Sequence, residues 1–320
     1  MQQQPNNDKN LEQQQSKAKE LLMQVKEKLQ AAKKEKFVFV LVGRTGVGKS
    51  STVNTLMGQS IAEVGDWEPT TMEVKSYDSN AFGVSFTVID TPGLCDDLEE
   101  KGNDAVYLNL IRSKAQKFDC LWFVSRLDET RVTSDEKRGI KLIGEAFGEQ
   151  VWKHTIIVFT WANSVNPDKF KLAVEKRTEL IRNEIAKYTD KNISLDVPSV
   201  PVDNTSKTTP DGEEWLGALY TTVFSKISSK GVLPFYIATA SRVSTPNQNQ
   251  EIHSSTPSTQ GPSIKLNEEQ TKIVKKRIDA ELILGTTIAG AAIGSVFGPA
   301  GAAIGGVIGA GVGLIAWLWN

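Results

Sequence analysis

The sequence predicts an α/β fold, a mostly parallel central sheet between two layers of helices, and three observations carry that expectation. Apolar runs alternate with helical patterns from Phe37 to about Lys230, the arrangement that builds parallel strands joined by crossover helices. The first run, Phe37 to Val42, is apolar at every position, as a strand buried on both faces must be. It leads into a glycine-rich turn followed by a helical pattern, the strand–turn–helix unit from which such sheets grow.

The elements follow in order. Residues 11–36 carry Leu21, Leu22, Val25, Leu29 and Ala32 at helical spacing among Lys, Glu and Gln, an amphipathic helix whose apolar stripe packs on its own domain or on another chain. Strands are expected at Phe37 to Val42, Thr71 to Tyr77, Val84 to Ile89, Cys120 to Ser125, Thr155 to Thr160 and Ser199 to Val202. Helices are expected at Ser51 to Met57, Asn103 to Lys117, Ser134 to Phe147, Asp168 to Lys187 and Gly212 to Ser229. Residues 37–235 then form one domain. The stretch 241–266 is rich in Ser, Thr, Pro, Gln and Asn and reads as a flexible linker. An amphipathic helix, Asn267 to Ile283, opens the last segment, 267–320.

Composition narrows the function classes. A net charge of -1 over 320 residues argues against a nucleic-acid binder with a global basic field. Cys95 and Cys120 are the only cysteines, so neither a disulfide framework nor a zinc site is indicated. The Gln- and Asn-rich first residues lack the apolar core of a secretion signal.

Chemistry enters at Gly43-Arg44-Thr45-Gly46-Val47-Gly48-Lys49-Ser50, with Ser51 next on the helix. Glycines at this spacing let successive backbone N–H groups curl around phosphates. Lys49 reaches the β- and γ-phosphates, and the Ser50 hydroxyl joins the coordination of Mg²⁺. The pattern therefore implies a nucleoside triphosphate. Asp90-Thr91-Pro92-Gly93 ends the strand after Val84. Its carboxylate is suited to Mg²⁺, and the Gly93 N–H to sensing a γ-phosphate. Between these motifs, Glu68-Pro69-Thr70-Thr71 offers a threonine to close over the metal, Thr70 first and Thr71 second. For the base, Thr160-Trp161-Ala162-Asn163 and Val202-Asp203-Asn204 follow two strand ends. A carboxylate accepts the N1 and N2 protons of guanine, a ring stacks on its face, and an Asn donates to O6 or N7. Asp203, Trp161 and Asn204 then form a guanine clamp, with GTP or GDP as the ligand.

With the phosphate loop, Asp90 to Gly93, Leu127 to Val132, Phe147-Gly148, Trp152-Lys153 and Thr160-Trp161-Ala162, the chain from Phe37 to Lys230 resembles the septin-related GTPases. Within them it is most similar to the branch of the chloroplast outer-envelope import receptors (the Toc GTPases) and the immunity-associated GTPases. The resemblance implies a P-loop GTPase fold. The receptors' fourth motif is Thr-His-Ala and their fifth ends in Glu-Asn, so Trp161 stands for the stacking His and Asp203-Asn204 for Glu-Asn. It also implies a G-domain dimer, homo- or heteromeric, in which Arg131 approaches the partner's nucleotide. Leu94 occupies the place where small GTPases carry a catalytic Gln, and an apolar side chain orients no water, so intrinsic hydrolysis should be slow. Lys49, Thr70 and Arg131 are the candidate catalytic residues.

From Leu282 to Asn320 no residue is charged, and about twenty apolar helical residues cross a bilayer. Gly290, Gly294 and Gly298 recur at every fourth residue, as do Gly301, Gly305, Gly309 and Gly313, which brings small residues to one helix face. Phe297-Gly298-Pro299 divides the run, and Trp317-Leu318-Trp319 ends it. The run spans once or folds as a hairpin. Lys272, Lys275, Lys276 and Arg277 just before it place the GTPase domain on the cytosolic side. The expectation is a membrane-anchored, Mg²⁺-dependent GTP switch. The rivals are a membrane-assembly protein driven by the glycine zipper and a soluble nucleotide-dependent interaction module.

Overall fold

The computed structural model describes residues 16, 20, 23–62, 74–91, 108–109, 111–113, 117–245 and 261–282. The expectations on Thr70, Thr71, Gly93, Leu94 and the run 283–320 lie outside these residues.

Six strands form one sheet: β1 (Phe37–Val42), β2 (Lys75–Ala81), β3 (Val84–Thr91), β4 (Cys120–Arg126), β5 (Thr155–Thr160) and β6 (Ser199–Pro201). Their spatial order is β2-β3-β1-β4-β5-β6. Only β2, at the edge, runs antiparallel to its neighbour, so the sheet is mostly parallel as expected. Alternation along β1 assigns the two faces. Phe37, Phe39 and Leu41 join one buried cluster, and Val40 and Val42 the other.

The first face is covered by α1 (residues 23–34), α2 (Lys49–Met57), α7 (Trp215–Lys226), α8 (Ser229–Thr239) and α9 (Glu268–Leu282). The second face is covered by α3 (described at 108–109 and 111–113), α4 (Ser134–Phe147), α5 (Pro167–Ile185) and the short α6 (Lys191–Leu195). Phe39 is the centre of the first face, within 5.5 Å of the Phe37, Trp122 and Phe235 rings, centroid to centroid.

Four expectations are corrected. The second strand begins at Lys75 rather than Thr71 and continues through Asp78, Ser79 and Asn80. Those polar residues read as loop, but an edge strand tolerates them, and Asp78 accepts from Thr87 at 2.6 Å and Lys36 at 2.8 Å. The single helix expected at Gly212 to Ser229 is two, because Ser228 starts a second by accepting from the Gly231 N–H. That helix, α8, is buried on all sides and holds Pro234, so it shows no amphipathic period. The linker 241–266 is ordered at both described ends: β7 (Val243–Ser244) pairs with β8 (Ile264–Lys265). Buried Arg242 donates there to the carbonyls of Thr55, Leu56 and Pro262, capping the C-terminus of α2. Leu282, assigned to the uncharged run, packs in the core as the last residue of α9.

The amphipathic first helix docks on its own domain. Val25, Leu29 and Ala32 are buried in the first-face core, and Lys28 Nζ donates to the carbonyls of Glu281 and Leu282 at 3.1 and 2.9 Å. A cation thus neutralises the C-terminus of α9. At its other end, Asn267 and Gln270 exchange hydrogen bonds in a capping box.

Phe39→Ala should cost about 3–5 kcal/mol, because the surrounding rings relax only in part around the void. Guanidinium unfolding would register it as a lower midpoint with an unchanged slope.

Candidate nucleotide site

The glycine-rich loop sits at the carboxyl ends of the parallel strands, where open α/β sheets bind ligands. It is held from behind. A Cβ at Gly43 would lie 2.2 Å from the Val124 carbonyl oxygen, so β1 can turn only where β4 leaves room for no side chain. Gly48, the N-cap of α2, has φ 94°, in the left-handed region that glycine adopts without cost. The buried Thr160 hydroxyl donates to the Val47 carbonyl at 2.6 Å, tying the loop to the end of β5. Thr160 therefore supports the phosphate loop from the protein interior.

Lys49 is 6% exposed, and its ammonium donates to the carbonyls of Gly43 and Arg44 at 3.0 Å each. It also lies 3.8 Å from Asp90 Oδ1. This buried carboxylate oxygen has no hydrogen-bond partner. Burial pushes the Asp90 carboxyl up, while Lys49, the Thr91 N–H and the Ser50 side chain pull it back. A buried carboxylate with one oxygen free of hydrogen bonds, beside the Ser50 hydroxyl, fits Mg²⁺, which takes one or two protein oxygens plus phosphate and water. Ser50 and Asp90 are the described residues that would hold it. Among the described residues no cluster of three or more His, Cys, Asp or Glu offers a denser metal site. Thr45, Gly46 and Ser51 complete the loop and the first turn of the helix.

The base-side residues gather at the same edge. Trp161 follows β5 in the left-handed region, φ 59°, uncommon for a bulky side chain and a mark of local strain. Its ring is 43% exposed, and the Arg126 guanidinium lies 4.4 Å from the ring centroid. Arg126 is held there by a two-pronged pair with Asp128, at 2.9 and 2.7 Å, and that pair lowers the Asp128 carboxyl from its usual range. Asp203 is only 4% exposed. Its Oδ2 accepts from the Asn163 N–H at 2.9 Å, and its Oδ1 from the Thr205 N–H and hydroxyl at 2.9 and 2.6 Å. Burial raises this carboxyl, but the Thr205 hydroxyl and the surrounding N–H groups outweigh it and hold it below the usual range. With the Ser206 N–H also pulling on this carboxylate, Asp203 keeps less accepting capacity than the two sites that a paired guanine contact needs. The Asn204 amide donates to the Gly48 carbonyl at 3.4 Å and to the Thr52 hydroxyl at 3.1 Å. In this arrangement Asn204 fastens the base-side loop to the phosphate loop.

A buried charge network also connects Arg44 and Arg131, and sequence patterns do not disclose it. Arg44 pairs with Glu129 at 2.8 Å. Arg177, on α5 and 2% exposed, donates to Glu129 at 3.2 Å, Glu136 at 2.5 Å, Ser125 at 2.8 Å and the Arg131 carbonyl at 2.5 Å. Glu136 also closes the Thr133 capping box of α4. Burial and the neighbouring Glu136 raise the Glu129 carboxyl, against the pull of Arg44, Arg177 and Arg126. Of this network, only the helix Ser134 to Phe147 and the candidates Arg44 and Arg131 were legible in the sequence; the Thr133 capping box comes from the structure. Arg177 reads as an ordinary surface cation on an amphipathic helix. Arg131 itself is exposed, with its backbone held by Arg177.

A family model described as the AIG1 family matches residues 37–205. GTP-binding protein A of Dictyostelium discoideum is 37% identical over 130 residues, which are 40% of this chain and 29% of that protein. Translocase of chloroplast 34 of Pisum sativum is 28% identical over 228 residues, covering 66% of this chain and 72% of that protein. Among solved structures, Toc33 from Arabidopsis thaliana in complex with GDP and Mg²⁺ is 27% identical, with TM-score 0.51 over 64% of this chain and 90% of that one. A dimerization-deficient mutant of Toc33 is 26% identical, with TM-score 0.52 and the same coverage.

Two outcomes are expected. Because the Asp90 carboxyl is raised in the fold, its contribution to stability is present below the ordinary carboxylate pKa and is lost as pH rises through the folded value. Asp90→Asn should therefore flatten that loss and raise the melting temperature of the nucleotide-free protein near neutral pH. Arg177→Ala leaves buried Glu136 without its ion-pair partner, while Glu129 keeps Arg44, and should cost about 3–5 kcal/mol in chemical unfolding.

Proposed function

The chain belongs to the AIG1 family, and on that premise we propose that it is a GTP-binding and GTP-hydrolysing switch that works with Mg²⁺. The observation that carries this reading is the orphaned Asp90 Oδ1 beside Lys49 and Ser50 at the mouth of the phosphate loop. When bound, Mg²⁺ supplies charge neutralisation at the phosphates. Lys49 then exchanges the carbonyls of Gly43 and Arg44 for the β- and γ-phosphates. The N–H groups of Gly46, Val47, Gly48, Lys49, Ser50 and Ser51 cradle the phosphate chain, with Arg44 and Thr45 at the rim. Thr70, or Thr71, closes over Mg²⁺, and the Gly93 N–H senses the γ-phosphate.

Guanine stacks on Trp161. Asp203 offers its remaining accepting capacity to the base edge, and Asn204 reaches O6 or N7 by releasing one contact to the phosphate loop. With Leu94 unable to orient water, hydrolysis is slow in the monomer. It rises when two G domains pair, as homodimer or heterodimer, and Arg131 reaches the neighbouring nucleotide. The likeness to a Toc33 mutant described as dimerization-deficient and the exposure of Arg131 support pairing.

Residues 283–320 anchor the chain in a membrane, with the GTPase domain on the cytosolic side. The support is compositional: the run is long, apolar and uncharged. No helix among the described residues is long and apolar enough to cross a bilayer.

Lys49→Ala should abolish GTP binding in a filter assay, and GTP should displace labelled GDP far better than ATP does. Equal competition by the two would remove guanine selectivity. The rate per molecule should climb with protein concentration, and Arg131→Ala should leave it flat. A wild-type rate independent of concentration would end the trans role.

A further inference from the structure

A second basic site lies at the opposite end of the domain. His154 precedes β5, so it stands at the amino ends of the parallel strands, a full strand length from the phosphate loop. A cavity of about 510 Å³ opens there, lined by Lys153, His154, Asp196, Lys226, Ser229 and Arg277 among others.

The lining is cationic, with Lys153, Lys226 and Arg277 against the carboxylate of Asp196. That balance is weaker than the count suggests. Asp196 pairs with Lys226, but its side chain is 77% exposed whereas that of Lys226 is 9% exposed. A solvated carboxylate compensates a buried ammonium poorly. Arg277 spends two donors on the carbonyls of Phe224 and Ile227, at 3.0 and 2.7 Å, and a guanidinium has five. His154 Nδ1 lies 2.9 Å from the Lys226 carbonyl, so that nitrogen carries the proton and Nε2 remains for another partner.

Helix α9 runs toward the same face. Gly217, near the start of α7, abuts Lys265 and Gln270, whereas Arg277 reaches the residues at its end. Helix α9 therefore runs alongside α7, away from the nucleotide. Arg277 is about 8 Å of helix rise from Leu282, and Lys28 clamps that last turn to α1. Leu282 is the last described residue of that helix, and the uncharged run 283–320 follows it in sequence.

We propose that this cavity binds the phosphate of an anionic lipid headgroup in the membrane that residues 283–320 enter, an inference that rests on the anchoring reading above. Charge complementarity selects the headgroup, and the apolar run that follows α9 in sequence selects the lipid source. The bound lipid would fix the domain with its base on the bilayer and the nucleotide edge facing away, presenting Arg131 to a partner.

The test uses the full chain. In detergent, inositol trisphosphate should bind saturably by calorimetry. Lys153→Glu should weaken it about tenfold or more by replacing an attraction with a repulsion. Lys276→Glu, exposed and outside the cavity, and the affinity for GTP should be unaffected. In vesicles, amide exchange at 151–154 and 226–230 should slow when phosphatidylcholine is supplemented with phosphatidic acid. Absent binding, or binding indifferent to Lys153→Glu, would overturn the site. Binding of inositol trisphosphate with no difference between neutral and anionic vesicles would overturn the lipid source in favour of a free phosphate compound. Release of the chain from membranes by alkaline carbonate, with headgroup binding intact, would remove the anchoring reading and the lipid source together.

Discussion

The contact on which the site depends is the pinning of the phosphate loop between strand ends. Gly43 passes so close to the Val124 carbonyl that a side chain has no room, and the Thr160 hydroxyl holds the Val47 carbonyl at 2.6 Å. These contacts come from β4 and β5, strands far away in sequence. Their position depends in turn on the packing of the sheet, above all the aromatic cluster around Phe39. Loop, sheet and core are therefore one mechanical unit, and the binding atoms are placed before any ligand arrives. Such preorganisation lowers the entropy cost of gripping a polyphosphate.

At the mouth of that unit lies a buried carboxylate oxygen that a bound cation would satisfy. Asp90 is buried with an oxygen that has no hydrogen-bond partner, and Trp161 adopts a strained backbone. Arg177 is buried too, with its two terminal nitrogens paired and its Nε without a hydrogen-bond partner. It joins the loop carrying Arg131 to Glu129, and through it to Arg44 in the phosphate loop. A rearrangement of Arg44 around a bound nucleotide would be felt at the Arg131 backbone through two ion pairs. Under the proposed function, this is the physical route from the nucleotide to the proposed pairing surface.

The two ends of the domain divide the labour. The carboxyl ends of the strands gather backbone N–H groups and the base-side loops. The amino ends gather Lys153, His154 and Lys226, with Asp119 tying β1 to α8 through the Val38 N–H and the Ser228 hydroxyl. Helices α1 and α9 meet at that base, where Lys28 caps the turn that precedes the uncharged run in sequence. The proposed membrane site and the proposed partner site lie at opposite ends and so do not exclude one another.

What the sequence determined by itself was whatever depends on local pattern. The all-apolar run Phe37 to Val42 demanded a doubly buried strand, the spacing Gly43 to Ser50 demanded a phosphate loop, and the helical pattern from Ser134 to Phe147 marked α4. Elements whose identity is set by neighbours escaped it. Helix α8 has no period because it is buried all round, and β2 is polar because an edge needs only one partner. The ends of 241–266 are ordered because Arg242 finds the carbonyls of α2. Only tertiary structure decided what the charged side chains do. It made Arg177 a buried hub, turned Asp203 and Asn204 inward to brace their loops, and set Arg277 beside Lys153 across more than a hundred residues of chain. A charge announces itself in sequence, but its burial and its partners are properties of the packed molecule.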